Sequence, residues 1–155
     1  MHIIKARLED VNELTDLINA AYQPEAEWKS SPRIGNEEVI TLINGNNSSI
    51  FKGISDKEII CCASSEIRFE MATFGLLSVW PRYQDKGYGY QMICFLEQSA
   101  RLNGCKTMRC EVASFNTHLM SYYEKMGYIH YDSKPWNEPS LLIEDVTFEL
   151  YEKAL

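Results

Sequence analysis

Hydrophobic positions along the chain switch between two periods. Ile3 to Arg7 alternates weakly and reads as a first strand. Val11, Leu14, Leu17, Ile18 and Ala21 then recur at helical spacing. Asp10, three residues before Glu13, makes a capping-box-like start for that helix, and Pro24 closes it. A polar connection over 22–35 carries Trp28 and Arg33; loops of this length in a compact domain are often functional. Asn36 caps a short helix with Glu37 and Glu38 in its first turn, and Asn44-Gly45 ends it. Three strands follow over 48–54, 57–67 and 71–79, with turns at Ser55-Asp56 and Arg68-Phe69-Glu70 that imply antiparallel pairing. Met92, Ile93, Leu96 and Ala100 mark a helix over 87–102, stopped by Asn103-Gly104. A strand over 106–112, a helix bearing Tyr123, and strands over 128–131 and 143–151 around a loop over 132–140 complete the chain. Periodicity and composition by themselves give a mixed α/β domain.

Size and charge narrow the classes. The 155 residues suffice for one domain, 1–155, with a proper core. A net charge of −7 offers no basic stripe for phosphates, so no nucleic-acid partner is expected, and a cationic acceptor such as an amine is favoured. No apolar run approaches the roughly 20 residues of a membrane helix, and the first residues lack a signal-peptide core, so no membrane partner and a cytoplasmic location are expected. The five cysteines are odd in number and lack a C-x-x-C, which argues against a disulfide framework or a zinc site. They read as small core hydrophobes.

The informative stretch runs from Ser78 to Gln91. An apolar run (Phe74, Leu76, Leu77, Val79) stops at Pro81, which cannot donate to a sheet ladder. Gly87 and Gly89 flank Tyr88 where the next helix begins. A helix start offers unpartnered N–H groups and a positive dipole end, and glycines let an anion approach them. Met92 stands where a dinucleotide-binding G-x-G-x-x-G/A needs a small residue, and no G-x-x-x-x-G-K-[S/T] occurs.

What fits is Gln84-x-x-Gly87-x-Gly89 just after Val79-x-Pro81, which resembles the [Q/R]-x-x-G-x-[G/A] acetyl-CoA-binding motif of the GNAT superfamily of N-acetyltransferases. A second stretch, Asn116 to Tyr128, is similar to that family's N-x-x-A-x-x-L-Y-x-K-x-G-F segment. Leu119 replaces the usual small residue there and Tyr122 the usual leucine. The resemblance implies the GNAT fold, a central mixed, mostly antiparallel twisted sheet of about seven strands flanked by about four helices. It also implies transfer of acetyl from acetyl-CoA, the cosubstrate, to an amine of a small molecule or peptide. The alternative is a CoA-binding sensor or partner module of the same fold without turnover. A homodimer through the C-terminal strands is implied by analogy.

Site roles follow from the same resemblance. Gln84, Asp85, Lys86, Gly87, Gly89 and Tyr90 would cradle the pyrophosphate, though Lys86 reads equally as a solvated lysine. Leu77, Ser78 and Val79 would present backbone groups to the pantetheine and the thioester carbonyl, with the Val79 N–H as oxyanion donor. Asn116 would cap the last helix and bond the pantetheine arm. Tyr123 occupies the general-acid position; helix phase does not separate it from Tyr122. Glu66 is the candidate base, with Glu111 or a water chain as alternatives. No metal is expected. Trp28 lines the acceptor side or plugs the edge of the core, and Trp136 with Tyr131 suggests apolar pocket walls.

Overall fold

The structure is a computed structural model describing residues 1–137 and 141–155, with the backbone alone described at 25–26. Seven strands form one sheet: β1 (His2–Lys5), β2 (Ser48–Ser55), β3 (Glu58–Arg68), β4 (Met71–Val79), β5 (Thr107–Ala113), β6 (Ile129–Pro135) and β7 (Thr147–Ala154). Among the described residues four α-helices accompany them: α1 (Val11–Ala21), α2 (Asn36–Asn44), α3 (Tyr88–Leu102) and α4 (Thr117–Lys125). The sheet order is β1-β2-β3-β4-β5-β7-β6. Among the described strands only β4 and β5 run parallel, with α3 as the crossover between them. The mixed, mostly antiparallel sheet that the resemblance implied is the one observed.

Helices cover both faces. On one, Leu14, Leu17 and Ile18 of α1 are fully buried with Val39 of α2, Ile50 of β2 and Cys62 of β3. On the other, Met92, Ile93 and Leu96 of α3 pack with Tyr123 of α4 against Ile60, Phe74, Met108 and Val112. Truncating one of the leucines or isoleucines to alanine costs about 2–5 kcal/mol, because the removed methyls leave a cavity. Buried charges are paired. Asp10 meets Lys52 at 2.6 Å, tying the start of α1 to β2. Glu97 on α3 accepts from Tyr128 Oη at 2.9 Å and from Lys153 of β7 at 2.9 and 3.0 Å. These bonds fix α3 against the β7 side of the sheet.

Several local expectations are corrected. The first strand covers His2–Lys5, two residues short of Arg7, although the Ala6 N–H still bonds Ile50 O of β2 at 2.8 Å. Asp10 does not cap α1: its carboxylate takes the Arg7 N–H at 2.8 Å and the Lys52 ammonium, a charge partner a helix amide cannot match. The cap of α2 is Gly35, whose N–H donates to Glu38 Oε2 at 2.9 Å, while Asn36 turns to Asn12. The 22–35 connection contains a 3-10 helix at Gln23–Glu27. β6 continues to Pro135 into the expected loop because Lys134 and Pro135 still pair with Phe148 and Thr147. Positions 138–140 of that loop lie outside the described residues.

Candidate active site

The sheet opens in its middle. β4 pairs with β3 along its length, but with β5 only through Met71↔Thr107, Ala72↔Met108 and Thr73↔Arg109. Beyond that point β5 continues with β7 as far as Ala113↔Phe148, leaving 74–79 without a partner on one edge. A bulge sits at the divergence. Ser64 faces Gly75 and Cys62 faces Ser78, so two β4 residues, Leu76 and Leu77, oppose one on β3. Leu76 has φ +49°, a left-handed conformation costing a branched side chain about 1–3 kcal/mol. Above the bulge, the Trp80 N–H bonds Ile60 O at 3.1 Å. Strand alternation then turns the N–H and C=O of Val79 to the open edge. The carbonyl is taken by Gln84 Nε2 at 3.1 Å, which leaves the amide facing the gap.

One groove, of about 350 Å³, runs along this edge past Leu77, Val79, Gln84, Asp85, Gly87, Gly89 and Tyr90, with His118 and Tyr122 opposite. The turn after β4 forms a short 3-10 helix, Pro81–Tyr83, and Gly87 then caps α3 at φ +80°. A residue with Cβ strains in that conformation, and Asp85 (φ +60°) is the type of short polar residue that tolerates it. The first intrahelical bond runs from the Gln91 N–H to Gly87 O at 3.1 Å. The amides of Tyr88, Gly89 and Tyr90 therefore have no helical acceptor and sum with the dipole into an anion site. A Cβ on Gly89 would rest 3.9 Å from Leu77 and Val79, an ordinary van der Waals contact, so packing against β4 does not by itself demand glycine there.

Three expected cofactor residues, Lys86, Ser78 and Asn116, differ in what their side chains do. Lys86 Nζ bonds Arg82 O at 3.2 Å and stands 5.2 Å over the Tyr83 ring, outside the groove lining. Ser78 is 1 % exposed and bonds Leu76 O at 2.9 Å, so only its backbone is on offer. Asn116 precedes α4, but its side chain makes no capping bond; its carbonyl accepts from Leu119 at 3.1 Å and Met120 at 3.3 Å.

A second cavity, of about 300 Å³, opens on the same gap and shares Leu77 and Leu119 with the groove. Its lining includes Tyr22, Arg33, Ser64, Glu66, Glu111, Tyr123 and Phe148. The two neighbouring tyrosines thus divide: Tyr123 borders the cavity, Tyr122 the groove. Tyr123 is 3 % exposed, with its ring 5.6 Å from Phe74 and 5.8 Å from Tyr128. Burial, reinforced by Cys110 and the adjacent tyrosines, holds its phenol well above the ordinary tyrosine range, so it stays protonated at neutral pH. Burial also raises the Tyr122 phenol. Glu66 is partly exposed and bound to Arg68 at 2.7 Å, and Glu111 to Lys134 at 2.5 Å. Cys110 borders the cavity too, but burial pushes its thiol far up, which disarms it as a nucleophile.

The aromatic walls differ from those expected. Trp28 stacks on Phe115 at 5.3 Å, Trp136 stacks on Phe115 and Phe148, and Tyr131 lies under Arg109. None of the three lines either cavity. Tyr22 and Phe148 supply the walls instead. Nothing in their local sequence marked them, since both are brought in by pairing between distant segments.

A seven-stranded α/β sheet parted between its parallel central strands defines a class of fold, and comparison identifies it. The model of the acetyltransferase (GNAT) family matches residues 11–128, and the chain belongs to that family. Solved structures agree on the fold. The smu.2055 protein of Streptococcus mutans superposes with a TM-score of 0.81 at 16% identity, covering 99% of each chain. A ribosomal-protein-alanine N-acetyltransferase from Brucella melitensis gives 0.78 at 14% identity over 100% of both chains. The PaiA N-acetyltransferase from Thermoplasma acidophilum, solved with coenzyme A, gives 0.73 at 18% identity over 99% of this chain and 98% of that one. No curated protein sequence matches.

Proposed function

We propose that the protein transfers an acetyl group from acetyl-CoA to a primary amine of a small molecule or peptide, by direct attack in a ternary complex. The observation that carries this reading is the meeting of two cavities at the unpaired edge of β4, one of them ending on the bare amides of α3. The groove fits coenzyme A chemically: an extended edge of backbone donors and acceptors suits an amide-bearing arm, and the helix start suits a pyrophosphate. When bound, acetyl-CoA supplies a thioester carbonyl open to a nucleophile.

The chain's own residues would do the rest. Amides around Gly87, Gly89 and Tyr90 hold the phosphates, while Gln84 secures the loop to Val79 O. The Val79 N–H points where negative charge develops on the carbonyl oxygen. An alkylammonium, with a pKa near 10.4, must lose a proton before it attacks. Glu66, or water beside Glu111, would take that proton. As the carbon–nitrogen bond forms and the carbon–sulfur bond breaks, Tyr123 gives its phenolic proton to the departing sulfur. It regains one from the acetylated nitrogen through solvent in the cavity.

A role supplied by acetyl-CoA suits a cytoplasmic location, and no helix among the described residues is long and apolar enough to cross a membrane. A homodimer would use the sheet edge formed by β6. The test is calorimetric titration with acetyl-CoA, CoA and NADH, followed by a thiol-release screen over amines. Micromolar acetyl-CoA binding without NADH binding supports the reading. Absence of acetyl-CoA binding refutes it, and binding without turnover on any amine returns the protein to the sensor class.

A further inference from the structure

We propose that the acceptor carries a carboxylate beside its amine, and that Arg33 is the residue that reads it. This rests on the acceptor-side reading of the cavity that holds Tyr123. Arg33 lines that cavity, and its guanidinium lies 5.1 Å over the Tyr22 ring, which also lines it. Stacking on an aromatic face fixes the plane of a guanidinium while leaving its edge donors free.

The charge pattern of the cavity is lopsided. Its two carboxylates are already occupied, Glu66 by Arg68 at 2.7 Å and Glu111 by Lys134 at 2.5 Å. Arg33 has no ion pair or hydrogen bond among the described residues, even though Glu37 and Glu38 border its outer side. Glu38 is instead turned to the Gly35 N–H at 2.9 Å. A half-buried guanidinium without a carboxylate, in a chain with net charge −7, is a cation kept for a ligand.

Geometry sets the size of that ligand. The cavity of about 300 Å³ sits at the small end of ligand pockets, so an acceptor of amino-acid size fills it. Beyond Arg33 a recess of about 280 Å³, bordered by Asn19, Lys29 and Ser31, shares Tyr22 and Arg33 with the cavity. The guanidinium therefore stands in the wall between the two, and a carboxylate can reach its donor edge with the amine directed inward. Two parallel N–H···O bonds from the fork would orient the acceptor as well as bind it.

The experiment compares thiol release from acetyl-CoA with glycine, alanine, phenylalanine and glutamate, with their carboxamides, and with phenethylamine. The amides have the less basic amines, so amine ionisation favours them and works against the expected result. The proposal expects kcat/KM about 10- to 100-fold higher for acids than for amides, carried mainly by KM, since that is the range for a charged hydrogen-bonded pair. In Arg33→Gln the acid-to-amide ratio should fall to about one, and Arg33→Lys should retain part of it. Amides or phenethylamine used as well as acids would overturn the proposal while acetyl transfer stands. An acid preference that survives Arg33→Gln overturns the assignment to Arg33. If no amine releases thiol, the parent reading fails, and the carboxylate site is judged by NMR. A shift of the Arg33 Nε–H resonance with N-acetylalanine but not N-acetylalaninamide supports it, and an unmoved resonance ends it.

Discussion

Replacing Tyr123 by phenylalanine removes one oxygen from the wall of the cavity it borders. The ring contacts that hold the side chain, to Phe74 at 5.6 Å and Tyr128 at 5.8 Å, survive the change. No described hydrogen bond from the Tyr123 hydroxyl is lost, so folding stability should move by no more than about 1 kcal/mol. Turnover should fall far more. A positioned proton donor contributes roughly 10²- to 10⁴-fold, equivalent to about 3–5 kcal/mol of barrier. Acetyl-CoA affinity should stay within about threefold, because Tyr123 does not line the groove.

Tyr122→Phe is the matched control, one residue away and facing the groove. It should keep turnover within about threefold. The assay is steady-state thiol release with the best amine from the screen, paired with calorimetric titration of acetyl-CoA. Burial holds the Tyr123 phenol above its ordinary pKa of 10, so the donor form persists throughout the working pH range. The alkaline limb of the wild-type profile should therefore not begin below about pH 10, while the rise on the acidic side follows deprotonation of the amine. A Tyr123→Phe enzyme retaining turnover within threefold, with Tyr122→Phe crippled, would refute the division of the tyrosines between cavity and groove.

Other perturbations probe separate parts of the structure. Gly87→Val places a β-branched residue at φ +80°, which should lower stability by about 1–2 kcal/mol and weaken acetyl-CoA binding at least about tenfold; calorimetry reads both, and unchanged affinity would remove the anion-site argument. Glu66→Gln should lower turnover about 10- to 100-fold at pH 7 and move the optimum upward if Glu66 takes the amine proton; an unchanged pH profile assigns that proton to solvent. Lys52→Ala strands the Asp10 carboxylate in the core and should cost about 3–5 kcal/mol in denaturant unfolding, with Asp10→Leu combined with Lys52→Met recovering much of it. Burial raises the Cys61 thiol from 9.0 to about 11, so stability carried by its neutral form is complete below pH 9 and lost as pH rises through 11. Thermal melts of Cys61→Ala should accordingly have a shallower alkaline slope than the wild type.

Much of this site was legible because its elements are local. The Gln84-to-Gly89 turn and the helix behind it are specified by contiguous residues, and the β-strand ending at Val79 was bounded correctly at both ends. Likewise Tyr123 and Tyr122 were placed on one helix, with only their phase open. What sequence could not give was anything set by pairing across the sheet. Phe148 reaches the cavity because β7 inserts between β5 and β6, and Tyr22 does so because α1 packs on β4. Charge partners were equally silent: Arg68 lies two residues from Glu66, on the same strand, whereas Lys134 meets Glu111 across 23 positions. Lys86 is the local counterpart, read from the sequence equally as a phosphate ligand or a solvated lysine. Its charge and position suited a phosphate, yet a carbonyl and a ring within four residues hold it elsewhere.

The bulge at Leu76 explains why a cavity exists in a sheet at all. Parallel strands prefer to pair throughout, and a regular β4 would continue beside β5 past Thr73↔Arg109. Two residues at Leu76–Leu77 set against one on β3 bend β4 away, exposing its backbone to the gap that both cavities share. The fold therefore carries the strain of a left-handed leucine at the place where a thioester would sit, stabilised by packing elsewhere. Leu76→Gly should relieve that strain and leave the bulge in place. Because Leu76 also packs with the α1 face, the gain of about 1–2 kcal/mol in backbone conformation is set against a similar loss of buried side chain. Near-neutral stability with the site intact is the expected balance. A variant that instead loses thiol release while staying folded would mean that the leucine side chain, rather than its backbone, holds the gap open.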